Sequence, residues 1–467
     1  MDSLSQLALG AAVSVAVMGR RTAVWKAALW GGVLGTLPDL DALIDHGDPV
    51  LNMVLHRAET HALFWQSLAA VPLAAGITWW MRRGGSAAGA AVAQPLGTGP
   101  AAALPAAASA RQGDFLPWLL TVWLVLVTHA LLDAVTVYGT RLALPFSSQP
   151  YGLGSIFIID PLYTLPLLVG LCAALLSRSP GGARWNLAGL LLSTAYLGWS
   201  AAAQHHVAGQ VHGQLAARDA AREAARGEAV AADRVLVTPT AFNTVLWRIV
   251  VMHPTHYEEG FYALADRGRA VRFRAYPLDP DLHREVQSLP AVQHIQAFSR
   301  GFFRVDERQG LVRITDLRMG QEPAYVFSFG VARRGSGLHA LETPTSVGGR
   351  SDMDIAAALR WLWARAGGQD LDPPGLEKGA GLRMMNCAVA YLPQRSSWQR
   401  RVTLRWEGDV FKSMEIDGLR PHAVSAQGPL LATALDNERI QLDLASLEWT
   451  SDFRGQATGR GRCEWVI

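Results

Sequence analysis

The sequence predicts an α-helical polytopic membrane domain of about six spans, followed by a strand-rich, mainly antiparallel β soluble domain. Half of the 467 residues are apolar and only 17% are charged, a composition that indicates a membrane part joined to a soluble part. Long apolar stretches are confined to residues 1–204. Beyond them, apolar residues alternate with polar or charged ones, as they do in half-buried strands.

Six apolar stretches are long enough to be candidate spans, although the first two are short. They are residues 4–19, 23–37, 62–81, 115–140, 156–176 and 185–203. Arginines follow alternate stretches, at residues 20–21, 82–83, 111, 178 and 184. The positive-inside rule assigns these arginines to the cytoplasmic side, which requires six crossings with both termini outside.

The rest of the chain divides by composition. Residues 84–113 are almost all Ala, Gly, Pro, Ser and Gln and predict a flexible linker. Residues 205–234 are rich in Ala, Arg and Glu and predict an exposed connecting helix. Residues 235–467 predict the strand-rich domain, interrupted by a helix near residues 354–366. If that domain is in oxidising surroundings, Cys387 and Cys463 can pair provided that their strands are neighbours.

Two ionisable residues lie inside the stretch 115–140. His129 and Asp133 are four residues apart, which puts both on one face of a helix. Ionisable groups at membrane depth cost a few kcal/mol each and usually mark function. From Phe115, a rise of 1.5 Å per residue carries them roughly 21 and 27 Å across a core about 30 Å thick. The predicted topology brings further polar residues to the same outer level: Gln6, Asp39, Asp41, His56, His61 and Asp160.

These imidazoles and carboxylates form a mixture of ligands that suits zinc, manganese or iron. Asp39 and Asp41 follow the helix-ending Pro38, in chain that we expect to be extended. His56 is expected in a loop, and His61 in the first turn of the next helix. The predicted metal ligands are Asp39, Asp41, His56, His61, His129 and Asp133.

Each part of this pattern also has a structural interpretation. Asp39, Asp41 and Asp160 could cap helices. His56 and His61 could be satisfied by backbone carbonyls, and His129 with Asp133 could be a buried hydrogen-bonded pair. A second pair, His253 and His256, lies in a predicted loop and is expected at the surface.

Several ordered motifs resemble a known family. They are MDSLSQLALGAAV, GTLPDLDAL, HRAETHAL, THALLDAVTVYGT, PFS and SIFIIDPLYTLP. Together they are similar to the YdjM-type inner-membrane metal-dependent hydrolases, a family described as LexA-binding and inner-membrane-associated. The resemblance implies a polytopic bacterial membrane protein with a metal-dependent hydrolase site at the six positions named above. Many relatives have His where this chain has Gln6, so one candidate ligand is lost.

The function expected is that of a membrane-bound metal-dependent hydrolase with its site at the periplasmic face, and with the C-terminal domain in the periplasm. One or two divalent ions, zinc or manganese, would activate water, with Asp41 or Asp160 as general base. The substrate would be a small or lipid-level molecule such as a phosphoester. The alternative is a non-enzymatic scaffold, or an ion-binding or transport protein, whose periplasmic tail recruits a partner. The net charge of +3 and the scattered Lys and Arg argue against nucleic acid.

Overall fold

A computed structural model gives a helical N-terminal region and a strand-rich C-terminal region. The structure describes residues 1–467 apart from 91–113, 178–181, 227–233, 309, 336, 348–353, 375–380, 394–395, 408–409, 422 and 466–467. The helical region comes first in the chain and the strand-rich region second, as predicted.

Each predicted apolar stretch forms a helix. The helices of this region are α1 (Ser3–Met18), α2 (Val24–Thr36), α3 (Pro49–Leu55), α4 (Leu63–Ala90), α5 (Phe115–Ala134), α6 (Pro161–Leu176) and α7 (Gly182–Arg226). Among the described residues, α5 alone is long and apolar enough to cross a membrane by itself. The helical segments Pro49–His61 and Leu63–Arg83, which are bent by 56° relative to each other, would be a second span if they are counted as one. Six spans therefore stay a prediction.

Close backbone contacts hold the helices together. A Cβ atom added to Gly31 of α2 would lie 2.3 Å from the Gly10 carbonyl oxygen of α1. In the same way, a Cβ on Gly189 of α7 would lie 2.2 Å from the carbonyl oxygen of Pro166 in α6. Glycine is needed at these crossings because any side chain would force the helices apart.

Helix α7 joins the two regions without a break. It merges the predicted sixth stretch with the predicted connecting helix, since no proline interrupts its 45 residues. At one end, Ser193 donates a hydrogen bond to the Tyr163 carbonyl of α6. Further along, Val207 and Val211 are buried with Trp247 of the C-terminal region. The predicted linker lies outside the described residues from 91 to 113, whereas its first residues continue α4 to Ala90.

The C-terminal region begins with two four-stranded sheets. The first has the order β1-β2-β3-β4, and the second the order β10-β9-β6-β5. Their strands, with the short pair β7–β8, are β1 (Arg234–Pro239), β2 (Leu246–Met252), β3 (His256–Ala263), β4 (Phe273–Pro277), β5 (Phe303–Arg308), β6 (Leu311–Asp316), β7 (Gly320–Gln321), β8 (Ala324–Tyr325), β9 (Ser328–Arg334) and β10 (Leu338–Ser346). Helices α8 (Pro280–Val286) and α9 (Pro290–Phe298) lie between β4 and β5 in the chain.

The predicted helix near residues 354–366 is confirmed as α10 (Ile355–Ala366), which is capped by the Asp354 side chain. An eight-stranded sheet follows, in the order β13-β12-β11-β18-β17-β16-β15-β14. Its strands are β11 (Gly381–Leu392), β12 (Ser396–Glu407), β13 (Val410–Ile416), β14 (Val424–Gln427), β15 (Leu430–Leu435), β16 (Glu438–Asp443), β17 (Glu448–Asp452) and β18 (Thr458–Trp465). Cys387 and Cys463 form a disulfide across this sheet.

Neighbouring strands in the described sheets pair in the antiparallel sense, as predicted. The expected surface position of His253 is wrong. This residue follows β2 directly and is 3% exposed, because the hairpin that it opens packs beneath α7, where Arg218 reaches Glu258.

Candidate metal centre

Three segments meet at the end of α5. A 3-10 helix, Pro38–Leu43, carries Asp39 and Asp41, and a second 3-10 helix, Glu59–His61, ends on His61. The expectation of extended chain at Asp39 and Asp41 is wrong, because Pro38 occupies the first turn of the 3-10 helix, a position that proline favours. The last turns of α5 contribute His129 and Asp133.

Four ligand atoms from these segments converge. They are Asp39 Oδ1, His61 Nε2, His129 Nε2 and Asp133 Oδ2. The two Nε2 atoms lie 3.0 Å apart. His61 Nε2 is 3.1 Å from Asp133 Oδ2 and 3.4 Å from Asp39 Oδ1. His129 Nε2 is 3.4 Å from the same Asp133 oxygen and 3.5 Å from the same Asp39 oxygen.

Hydrogen bonds on the far side of each ring determine its tautomer. His129 Nδ1 lies 2.7 Å from the Gly35 carbonyl oxygen, which can only accept, so Nδ1 donates. Thr60 Oγ1 donates to Asp41 Oδ2 over 2.6 Å and lies 2.8 Å from His61 Nδ1, so it accepts the proton of Nδ1. In the neutral rings both Nε2 atoms therefore present lone pairs to each other.

The carboxylate oxygens facing these lone pairs lack hydrogen-bond partners. Among the described residues, neither Asp39 Oδ1 nor Asp133 Oδ2 accepts a hydrogen bond. Asp133 is fully buried, and the side chain of Asp39 is 17% exposed. Buried acceptors that face each other are unfavourable unless a proton or a cation lies between them. The four residues form a candidate metal-binding group.

The distances also fit a metal. Ligands at 2.0–2.2 Å from a tetrahedral ion are about 3.4 Å from one another. The separations of 3.0 to 3.5 Å among these donors agree with that value. The partners on the outer nitrogens, the Gly35 carbonyl and Thr60, are of the kind that orient metal-bound histidines.

His56 and Asp41 form a pair beside this group rather than within it. His56 caps the C-terminus of α3, and its Nδ1 lies 2.8 Å from Asp41 Oδ1. The other carboxylate oxygen accepts from the backbone N–H of Arg57 and from Thr60. Burial raises the pKa of Asp41, but the hydrogen bonds from His56 and Thr60 outweigh burial and hold this pKa below its usual range.

Sequence reasoning missed two members of the site. Arg57 is buried, with its Nε 3.3 Å from Asp133 Oδ2. It adopts a φ of 64° and lies in the chain between His56 and His61, whose ring centroids are 6.1 Å apart. Thr60 was also overlooked. The sequence offered one indication of their role, which is that Arg57 and Thr60 lie between the two histidines of the HRAETH motif.

Gln6 contacts the group of four donors, whereas Asp160 lies outside it. Gln6 Nε2 donates to Asp133 Oδ1 over 3.0 Å, and the Met1 amino group also contacts this oxygen. Gln6 therefore supports a ligand. Asp160 caps α6, because its Oδ1 accepts from the N–H groups of Leu162 and Tyr163 and its Oδ2 from Tyr196. The structure does not bring Asp160 into the group of four donors.

The fold and this buried group of histidines and aspartates define a helical N-terminal region with a candidate metal centre, followed by a strand-rich region. Residues 1–207 match the family model described as YdjM inner membrane protein. The match covers the N-terminal 207 residues, and the resemblance seen in the motifs is confirmed over that part of the chain. Neither a curated protein nor a solved structure matches the chain.

Proposed function

We propose that the protein is a membrane-bound, metal-dependent hydrolase whose ion is held by Asp39, His61, His129 and Asp133. The observation that carries the proposal is the pair of Nε2 atoms, 3.0 Å apart, that face two carboxylate oxygens at tetrahedral spacing; within the described residues these oxygens accept no hydrogen bond. Two imidazoles with two carboxylates in that arrangement favour zinc over manganese, which prefers more oxygen ligands. One ion is favoured over two, because the outer residues His56 and Asp41 bind each other.

A bound zinc ion would act as a Lewis acid and would lower the pKa of water. His56 is the proposed general base. Its Nδ1 donates to Asp41, so its Nε2 is free to take a proton from the attacking water. Asp41 then acts through His56, by fixing the tautomer and stabilising the imidazolium, as the carboxylate does in a catalytic triad.

Arg57 supplies a fixed positive charge next to the ligands. An anionic group on the substrate, such as a phosphoester, would gain from that charge as negative charge develops on its oxygens. The side chains of His56 and Asp39 are 21% and 17% exposed. A substrate would therefore approach along these two side chains, at the level of the lipid headgroups.

We also propose that six helices cross the inner membrane, with the site and the C-terminal region in the periplasm. Large apolar side chains are exposed on every long helix of the N-terminal region, as expected for contact with lipid. Examples are Leu7, Leu29, Val71, Leu116, Val169 and Leu191. The disulfide supports an oxidising compartment for the sheet that contains it.

Metal content and hydrolysis together test the catalytic proposal. The whole chain, purified in detergent without chelators, should contain about one zinc at this site and hydrolyse a phosphodiester such as bis(4-nitrophenyl) phosphate. Asp133→Asn and His61→Gln should lose this zinc and the activity, whereas His56→Gln should keep the zinc and lose activity. If His56→Gln retains full activity, the assignment of the base is wrong. If zinc binds but no ester or amide probe is hydrolysed, the ion-binding alternative replaces the enzyme.

Cysteine labelling in intact cells tests the topology. A cysteine placed at Ser147, in the loop after α5, should react with a membrane-impermeant maleimide, and one placed in the 84–113 segment should not. The opposite pattern would mean that the site faces the cytoplasm.

A further inference from the structure

A second group of ligand-type side chains lies at the hairpin between β2 and β3. His253 follows β2, His256 begins β3, and Glu258 is two residues further along. The backbone closes the hairpin, because the N–H of His253 donates to the His256 carbonyl over 2.9 Å. One ligand atom from each of the three residues lies within 4.8 Å of the other two. The sequence HPTHYE therefore folds three donors into one small volume.

His253 is the informative member of this group. Its side chain is 1% exposed, and within the described part of the chain neither of its ring nitrogens has a hydrogen-bond partner. A neutral imidazole ordinarily satisfies both nitrogens when it is buried. Its Nε2 is directed toward Glu258, 3.6 Å from Oε2, too far for a hydrogen bond. The ring is thus held beside a carboxylate without bonding to it.

The other two donors have suitable positions. His256 Nε2 lies 4.0 Å from Glu258 Oε1, and the two imidazole rings stack with centroids 4.4 Å apart. Spacings of 3.6 and 4.0 Å slightly exceed the value of about 3.4 Å for ligands of one tetrahedral ion. Small rotations of the two imidazole rings out of their stack would bring their Nε2 atoms to this distance from the Glu258 oxygens.

Arg218 of α7 forms an ion pair with Glu258. Its Nη1 lies 2.8 Å from Glu258 Oε2, and its side chain is 26% exposed. A guanidinium on the edge of the protein can move into solvent, whereas His253 cannot. The arginine therefore neutralises the buried carboxylate and competes with a cation for it.

We propose that His253, His256 and Glu258 form a second metal site, which binds a divalent ion of the zinc class. Two imidazoles and one carboxylate are a common zinc ligand set, which leaves a fourth position for a further ligand. The ion would displace Arg218 from Glu258 and would fasten the β2–β3 hairpin beneath α7. This site is separate from the centre at α5 and does not depend on the hydrolase proposal.

Zinc binding by the whole chain in detergent tests the proposal, in a His61→Gln/Asp133→Asn background that removes the first site. After treatment with a chelator, this double variant should still take up one equivalent of zinc per chain, measured by equilibrium dialysis and metal analysis. Adding His253→Gln should abolish that uptake. Adding His212→Gln, at an exposed position of α7, should leave it unchanged.

Arg218→Gln separates a metal site from a structural ion pair. If Arg218 competes with the ion, its removal should tighten zinc binding several-fold, whereas a purely structural pair would give no zinc effect. His256→Gln, at a less buried ring, provides a second loss-of-binding variant if His253→Gln fails to fold. Retention of the equivalent in folded His253→Gln or His256→Gln, or no uptake in the background protein, would overturn the proposal.

Discussion

Cys387 in β11 and Cys463 in β18 are direct cross-strand partners in the eight-stranded sheet. The two cysteines are 76 residues apart in sequence, yet their strands are adjacent in the strand order. Both cysteines are buried. The disulfide therefore forms a covalent link between the strands of this sheet that come first and last in the chain.

The disulfide leads to the first prediction. Cys387→Ala should lower the free energy of unfolding of the C-terminal region by about 2–5 kcal/mol, because the unfolded chain gains conformational entropy when the disulfide no longer closes a long loop. Limited proteolysis of purified protein, with cleavage sites mapped by mass spectrometry, would measure the change. Cys172→Ala, at an exposed thiol of α6, is the matched control and should behave like wild type. Free thiols at both positions in freshly isolated protein would contradict the pairing.

Thr60 should determine how tightly the first site holds its metal. Thr60→Val removes the hydroxyl that fixes the His61 tautomer, and loss of such an outer partner typically weakens metal affinity by about 10–100-fold. Thr60→Ser keeps the hydroxyl and should retain wild-type affinity. Zinc competition with a fluorescent chelator compares the two variants. Equal affinities would mean that the hydroxyl does not orient His61.

Gly31 should be sensitive to any side chain. In Gly31→Ala the new Cβ meets the Gly10 carbonyl oxygen and the Ser14 side chain within 2.4 Å, so α1 and α2 must separate, at a cost of about 1–3 kcal/mol. Thermal aggregation of the detergent-solubilised protein should begin at a lower temperature. Gly76→Ala, in α4 with open space around the added Cβ, should be neutral or stabilising. Indistinguishable behaviour of the two variants would refute close packing of α1 on α2.

Asp160 should contribute stability rather than catalysis. Asp160→Ala removes the cap of α6 and should cost about 1 kcal/mol, whereas Asp160→Asn keeps a good capping group. Both variants should retain zinc and hydrolytic activity once purified. A loss of activity in Asp160→Asn, with folding unchanged, would restore Asp160 as the general base.

The sequence was sufficient to predict most of the elements, and it named the four residues that converge in the candidate metal centre. Apolar length located the helices, and alternation located the strands. The spacing of His129 and Asp133 placed both on one face of α5. These are local properties, determined by a few neighbouring residues.

What the sequence could not show depends on contacts between distant segments. The Gly35 carbonyl orients His129 only because α2 packs closely on α1 and α5, and the left-handed φ of Arg57 is invisible in a residue that usually avoids it. His253 looked exposed because its loop residues are polar, yet α7 covers the hairpin. Likewise, the sequence offered Asp41 and Asp160 equally as the general base and did not show that Asp41 lies next to His56 or that Asp160 caps α6.

Because α7 is unbroken, the end of the family match does not coincide with the end of a structural element. The family match ends at residue 207, but the helix continues to Arg226. Its buried Val207, Val211 and Leu215 belong to the core shared with the first β-sheet. A protein truncated after residue 207 would therefore lose Val211 and Leu215, and Val207 would lose the buried residues that it packs with. The N-terminal helices and the first sheet are better regarded as one structural unit, because α7 contacts both α6 and the strands.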